Sequence, residues 1–218
     1  MMIRKVINRL RNAVWQSNRG RINQRNRKRL KNKEVTILSS NCTGGILSHD
    51  LGLQFRSPTV NLYMKCDDFV RFCENLDYYL NKDFEECRDP EIIEDRTYPI
   101  GYLDDLTVYF VHYRSFEEAV QKWNERKKRI RWDNIFILHT DREGCSEEMK
   151  DRFEKLPYPK VLFTHLPNEK HPSCFYLKGY EEQDCVGIIT DHNTMDGKRP
   201  VDQFDYVAWL NGKTRREG

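Results

Sequence analysis

No aspartate or glutamate occurs before Glu34, although residues 1–33 carry twelve of the chain's 37 lysines and arginines. The other 25 bases face 34 acids, so the body has a net charge of −9 and the excess basic charge is confined to the N-terminal segment. A domain that reads a duplex carries positive charge on its folded surface. An acidic body repels phosphate at long range, which excludes sequence-specific nucleic-acid binding there. The seven cysteines, at 42, 66, 73, 87, 145, 174 and 185, form no CxxC pair and no zinc-ribbon spacing, and their number is odd. Without a secretory leader they read as reduced thiols in a cytosol, and no metal is expected. Glycine-rich phosphate loops of G-x-G-x-x-G or P-loop spacing are also lacking. Residues 16–33 are too polar to cross a bilayer or to form the apolar core of a signal peptide.

What is present is a globular chain of 218 residues, 38% hydrophobic and 12% aromatic, whose apolar residues cluster in short runs. That length suits one domain at 34–212 between a basic arm at 1–33 and a short tail at 213–218. Within the arm, Ile3, Val6, Ile7, Leu10, Val14 and Trp15 recur at helical spacing with Arg4, Lys5, Arg9 and Arg11 between them. A basic amphipathic helix of this kind can lie on an anionic membrane surface, pack on the body or on a partner, or remain a solvated arm.

Candidate strands are 35–38, 59–64, 106–112, 135–139, 160–165 and 186–190, mostly continuous apolar runs of the kind buried on both faces of a parallel sheet. Candidate helices begin at Asp67 or Asp68, at Ser115 with Glu118 in a capping box, and at Ser146; the last stops at "LPYP", residues 156–159. Residues 90–99 read as a polar loop. Alternation of strand and helix predicts a three-layer α/β sandwich of Rossmann-like type with a mostly parallel sheet.

Ligands of such sheets bind beyond the carboxyl ends of the strands. The expected strand ends carry Asn41 and Cys42, His112, His139 with Thr140 and Asp141, His165, and Asp191 with His192. Cys42 is the candidate nucleophile, because a thiol at a helix start feels positive potential that favours the thiolate. His112, His139 or His165 is its candidate base, oriented by Asp141 or Asp191. His49 lies about two turns along the helix, roughly 12 Å of rise from seven or eight residues, too far to serve. Gly44 and Gly45 would let backbone amides cradle an anion, and Arg126, Arg129 and Arg142 are candidate partners for a phosphate or carboxylate. Each of these features also has a structural reading, as a tight turn, a satisfied edge histidine or a surface ion pair.

"SNCTGG" at 40–45, "GLQFRSPTVNLY" at 52–63, "YPIGYLDDL" at 98–106, "HYRSFEEAVQKWNERKKRI" at 112–130, "TDREGC" at 140–145 and "FDYVAWLN" at 204–211 resemble a bacterial domain-of-unknown-function family, DUF1919. Its members are commonly encoded among capsule and exopolysaccharide genes. A looser likeness is to a family proposed to be papain-like cysteine peptidases, although "CTGG" differs from the surround of a papain-type nucleophile. The closer resemblance implies a cytoplasmic enzyme, peripheral at the inner membrane, that transfers or hydrolyses a group on a sugar or polyprenyl-linked glycan, as an acyl or glycosyl transferase or a cysteine-dependent hydrolase. The alternatives are a sugar-nucleotide-dependent glycosyltransferase, with Gly44, Gly45 and Arg142 holding the diphosphate, and a non-catalytic glycan- or nucleotide-binding partner. No cofactor is specified.

Overall fold

A computed structural model describes residues 2–94, 96–142, 144–191 and 194–212, with side chains from residue 9 onward. The chain runs α1 (Met2–Arg29), β1 (Thr36–Ser39), α2 (Thr43–Leu51), α3 (Cys66–Glu74), α4 (Leu76–Leu80), β2 (Glu85–Glu86), α5 (Pro90–Ile93), β3 (Ile100–Leu103) and β4 (Leu106–Tyr109). It continues through α6 (Phe116–Lys127), β5 (Ile135–Thr140), α7 (Glu147–Glu154), β6 (Lys160–Thr164), β7 (Cys174–Tyr176), a 3-10 turn (Pro200–Gln203) and α8 (Tyr206–Leu210). Four strands form a parallel sheet in the order β1-β5-β6-β7, and three short strands form a separate antiparallel sheet β2-β3-β4.

The parallel sheet is buried on both faces, and the alternation of side chains sorts its residues between two cores. Leu38, Ile135, Ile137, Leu162 and Cys174 face one core, with Phe69 and Phe72 of α3, Trp123 of α6 and Phe153 of α7. Val35, Ile37, Phe136, Leu138, Val161 and Phe163 face the other, with Leu47 and Leu51 of α2 and Val207 and Leu210 of α8. This is the three-layer α/β arrangement that the run pattern predicts. Helix α2 sits close on β1 because Gly44 has no side chain: a Cβ there would lie 2.8 Å from the Cβ of Ser39.

Three expected strands differ from what forms. Residues 59–64 make turns and a single bridge, Tyr63 to Tyr109, because Asn61 adopts a left-handed φ of 67° that no strand can carry. The strand expected at 106–112 ends at Tyr109 and belongs to the antiparallel sheet, so His112 is not at a parallel strand end. Residues 186–190 form no strand; the Val186 N–H is taken by the Asp141 carboxylate at 2.9 Å, and the fourth parallel strand is β7. The helix expected from Asp67 or Asp68 begins at Cys66, and residues 90–93 of the expected loop form a short helix.

The second half of α1 packs on the body. Arg19 is buried and pairs with Asp50 of α2 at 2.8 Å and with Asp202 at 2.6 Å, while Arg199 reaches the same Asp50 oxygen at 2.5 Å. Asn26 donates to the Tyr206 hydroxyl at 3.0 Å, and Arg29 pairs with Asp205. Gly197 lets the loop press on the helix: its φ is +80°, and a Cβ would lie 2.5 Å from the Arg19 nitrogen. Contacts therefore cross the expected boundary at 33/34. Further toward the N-terminus Leu10 and Val14 are 63% and 47% exposed. No helix among the described residues is long and apolar enough to cross a membrane.

Two outcomes follow for stability. Removing one member of a buried charge network strands the others, so Arg19→Ala should lower the unfolding free energy in urea by about 3–5 kcal/mol. Leu10→Ser, on the exposed part of the same helix, should change it by less than about 0.5 kcal/mol. Burial raises the Tyr206 phenol to about 12, with Asp202 adding to the effect. The folded state then keeps a proton that the unfolded chain releases near pH 10. The stability this contributes is complete below about pH 10 and is lost as the pH rises toward 12; urea midpoints across that window should fall less steeply in Tyr206→Phe than in the parent.

Candidate functional site

Strand order follows chain order without reversal, so the sheet has no switch point, and the site is defined by what its carboxyl ends present. At the end of β1, Asn41 binds the chain to itself: its amide nitrogen donates to Thr140 Oγ1 at 3.3 Å and its oxygen accepts the Thr43 N–H at 3.0 Å. This side chain ties β1 to β5 and opens α2.

Between β5 and β6 lies a histidine–carboxylate pair. The buried Asp141 accepts the Val186 N–H on Oδ1 at 2.9 Å and the His165 backbone N–H on Oδ2 at 2.8 Å. His165 Nδ1 lies 2.6 Å from the same Oδ2. A carboxylate only accepts, so Nδ1 carries a proton and Nε2 is left as the ring's basic nitrogen. The imidazole side chain is 21% exposed against 3% for Asp141, so the ring reaches solvent while its carboxylate partner does not.

Two residues before Asp141, still within β5, is the centre of a second, drier group. His139 is buried against the rings of Phe69, at 5.0 Å, and Phe153, at 5.7 Å. Its Nδ1 lies 2.8 Å from Ser40 Oγ and its Nε2 lies 3.2 Å from Cys66 Sγ. Cys66 starts α3, and Cys145 directly precedes Ser146, the N-cap of α7. One ligand atom from each of Cys66, His139 and Cys145 lies within 4.8 Å of the other two. The Cys66 thiol, followed by His139 and Lys150, pulls Cys145 down to about 5 despite its burial. Cys66 moves up, through Cys145 and burial, so Cys145 is the thiolate of the pair and Cys66 the thiol.

The other expected site residues lie apart from these two groups or are committed to packing. Cys42 stands before α2 as expected, but burial raises its pKa, opposed only by its own backbone, and no imidazole bonds it among the described residues. The expected thiolate-favouring environment is thus not found there. Gly44 and Gly45 point inward, at Ser39 and at Val60, where a Cβ on Gly45 would be 3.2 Å from Val60; packing explains both. Arg126 is buried against the Val60 carbonyl at 3.0 Å and the Tyr113 hydroxyl at 2.5 Å, and Arg129 donates to the Phe55 carbonyl at 3.4 Å. Arg142 is half-buried in the turn after Asp141, whereas His112 and Asp191 are exposed in turns. His192 lies outside the described residues. A cavity of about 800 Å³ between α1 and residues 178–207 contains Arg25, Arg29, Lys178 and Arg199 and none of the strand-end groups.

Sequence reasoning did not join Cys66, Cys145 and Ser40 to His139. The usable signal was positional: three of the seven cysteines, Cys42, Cys66 and Cys145, sit at helix starts.

The profile of DUF1919, a domain of unknown function, matches residues 13–211. An uncharacterized protein of Haemophilus influenzae strain Rd is 40% identical over 203 residues, spanning 93% of this chain and 96% of its own length. The profile match includes the part of α1 that packs on the body.

Asp141→Asn places an amide where three donors converge, so at least one N–H loses its acceptor. This should cost about 1–3 kcal/mol in urea unfolding, whereas Cys42→Ala should stay below that range; equal effects would contradict the assignment of Asp141 as the organising acceptor.

Proposed function

The chain belongs to the DUF1919 family, and from that membership and the strand-end geometry we propose an enzyme of bacterial glycan assembly in which His165 moves the proton. One observation carries this reading: Asp141 is buried and fully engaged by donors, one of which is the His165 ring, while the ring itself is partly exposed. A general base needs this arrangement, a fixed tautomer and a carboxylate that stabilises the imidazolium once formed.

In the proposed reaction, His165 Nε2 accepts the proton of an attacking hydroxyl, from water or a sugar, as oxygen attacks the group to be transferred. The bond to the leaving group breaks, and the imidazolium returns the proton to the departing oxygen. Arg142, in the turn beside Asp141, would meet a phosphate on the substrate. The substrate class is a sugar nucleotide or polyprenyl-linked glycan, supported by the resemblance to proteins encoded among capsule genes. Exposed Leu10 and Val14 near Arg9 and Arg11 support contact of α1 with the anionic inner-membrane surface where such carriers reside. Cys42 has no covalent role in this reading, because burial raises its thiol.

Product analysis with a panel of sugar nucleotides and lipid-linked acceptors tests this. His165→Gln should reduce turnover by about 10²–10⁴-fold while leaving thermal stabilisation by the substrate in place, and Cys42→Ser should keep turnover. Loss of turnover in Cys42→Ser with His165→Gln unaffected would overturn the assignment.

A further inference from the structure

We propose that Cys66, His139 and Cys145 form a binding site for a soft divalent cation of the zinc class, linking the starts of α3 and α7 to the central strand β5. The proposal is independent of the role given to His165.

Geometry is the first support. The three ligand atoms lie within 4.8 Å of one another, and the His139 Nε2 to Cys66 Sγ separation is 3.2 Å. Bonds of about 2.0–2.3 Å in a tetrahedral site put ligand atoms roughly 3.3–3.8 Å apart, so the cation needs only small side-chain shifts to seat. Two sulfurs with one imidazole nitrogen form a donor set that selects zinc-like ions over magnesium or calcium.

The surroundings of each ligand are the second support. Ser40 Oγ can accept the Nδ1–H of His139 at 2.8 Å, which leaves the Nε2 lone pair directed toward the thiols. Phe69 and Phe153 pack against the ring, at 5.0 and 5.7 Å between ring centroids. The thiols stand at the starts of two helices, of nine and eight residues, so a shared ion would join both helices to β5. Three protein ligands leave a fourth position for water or a substrate atom, and Cys145, only half-buried, provides the route to it.

The chelator-stripped, reduced full-length protein should bind one equivalent of Co²⁺, displaceable by Zn²⁺, and show the thiolate-to-metal charge-transfer and tetrahedral ligand-field bands of a two-sulfur site. Cys66→Ser, Cys145→Ser and His139→Ala should each weaken binding by more than about 100-fold and Ser40→Ala by about 10-fold, while Cys42→Ser and Cys185→Ser should bind as the parent does. Should the ligand variants fail to fold, the parent spectrum decides alone, because charge-transfer intensity reports the number of bound thiolates. Absence of stoichiometric binding, a spectrum without thiolate bands, or a Cys66–Cys145 disulfide in the purified protein with no Co²⁺ uptake after reduction would each overturn the proposal.

Discussion

A parallel sheet buried on both faces leaves no water for any polar side chain on its central strand, and that constraint organises this molecule. β5 is buried along its whole length, and its last described core position on one face is His139. An imidazole with two unpaired nitrogens in such a place would cost several kcal/mol. Its neighbours therefore supply one polar atom at each nitrogen, Ser40 from the end of β1 and Cys66 from the start of α3. The helix starts are fixed in turn by this meeting, since α3 and α7 pack against the same face. Just beyond the strand end the same constraint acts on Asp141, whose buried carboxylate is met by two backbone N–H groups and a ring nitrogen.

Charge in the basic segment is divided between folding and whatever lies outside the molecule. Arg19 is fully absorbed by Asp50 and Asp202, and Arg27 and Arg29 are tied to the Asp50 carbonyl and to Asp205. The twelve bases before Glu34 thus overstate the charge that a membrane or other anion would meet. Around Arg9 and Arg11, where apolar side chains are also exposed, the amphipathic character persists. The family match begins at residue 13, close to the point where the helix meets the body.

The physics that wrote the fold into the sequence explains what could be read there. Continuous apolar runs reported β1, β5 and β6 because a strand covered on both faces cannot alternate, and Ser115 and Ser146 reported α6 and α7 because both serines cap their helices. β7 has only three residues, two of them half-buried, and carries no such signature. The run at 59–64 has strand composition but is overruled by Asn61, and by Thr59, whose hydroxyl accepts the Ser39 N–H at 3.0 Å. Strand-end logic placed Asp141 and His165 together, since adjacent parallel strands must bring their ends together. The burial that raises the Cys42 thiol could not be read there, because a helix start says nothing about how deeply the thiol is buried. The meeting of His139 with Cys66, 73 residues away, depends on how α3 packs, and no local spacing encodes it.

His139 and His165 show how one sheet edge can support two chemistries. They stand on neighbouring strands near the same end, yet one imidazole is enclosed by aromatic rings and thiols while the other is paired with a carboxylate and partly open to water. Asp141 holds the His165 ring in one tautomer, with Nε2 left to exchange a proton in the proposed reaction. His139 instead meets a hydroxyl at Nδ1 and a sulfur at Nε2, as an imidazole that binds a metal would. In β5 successive residues face opposite layers, so His139 enters the helix-packed core while Thr140 faces the Asn41 side; Asp141 and His165 lie just beyond the last residues of β5 and β6. A single-residue shift in the register of β5 would turn His139 out of that core, which makes strand register the quantity on which its setting depends.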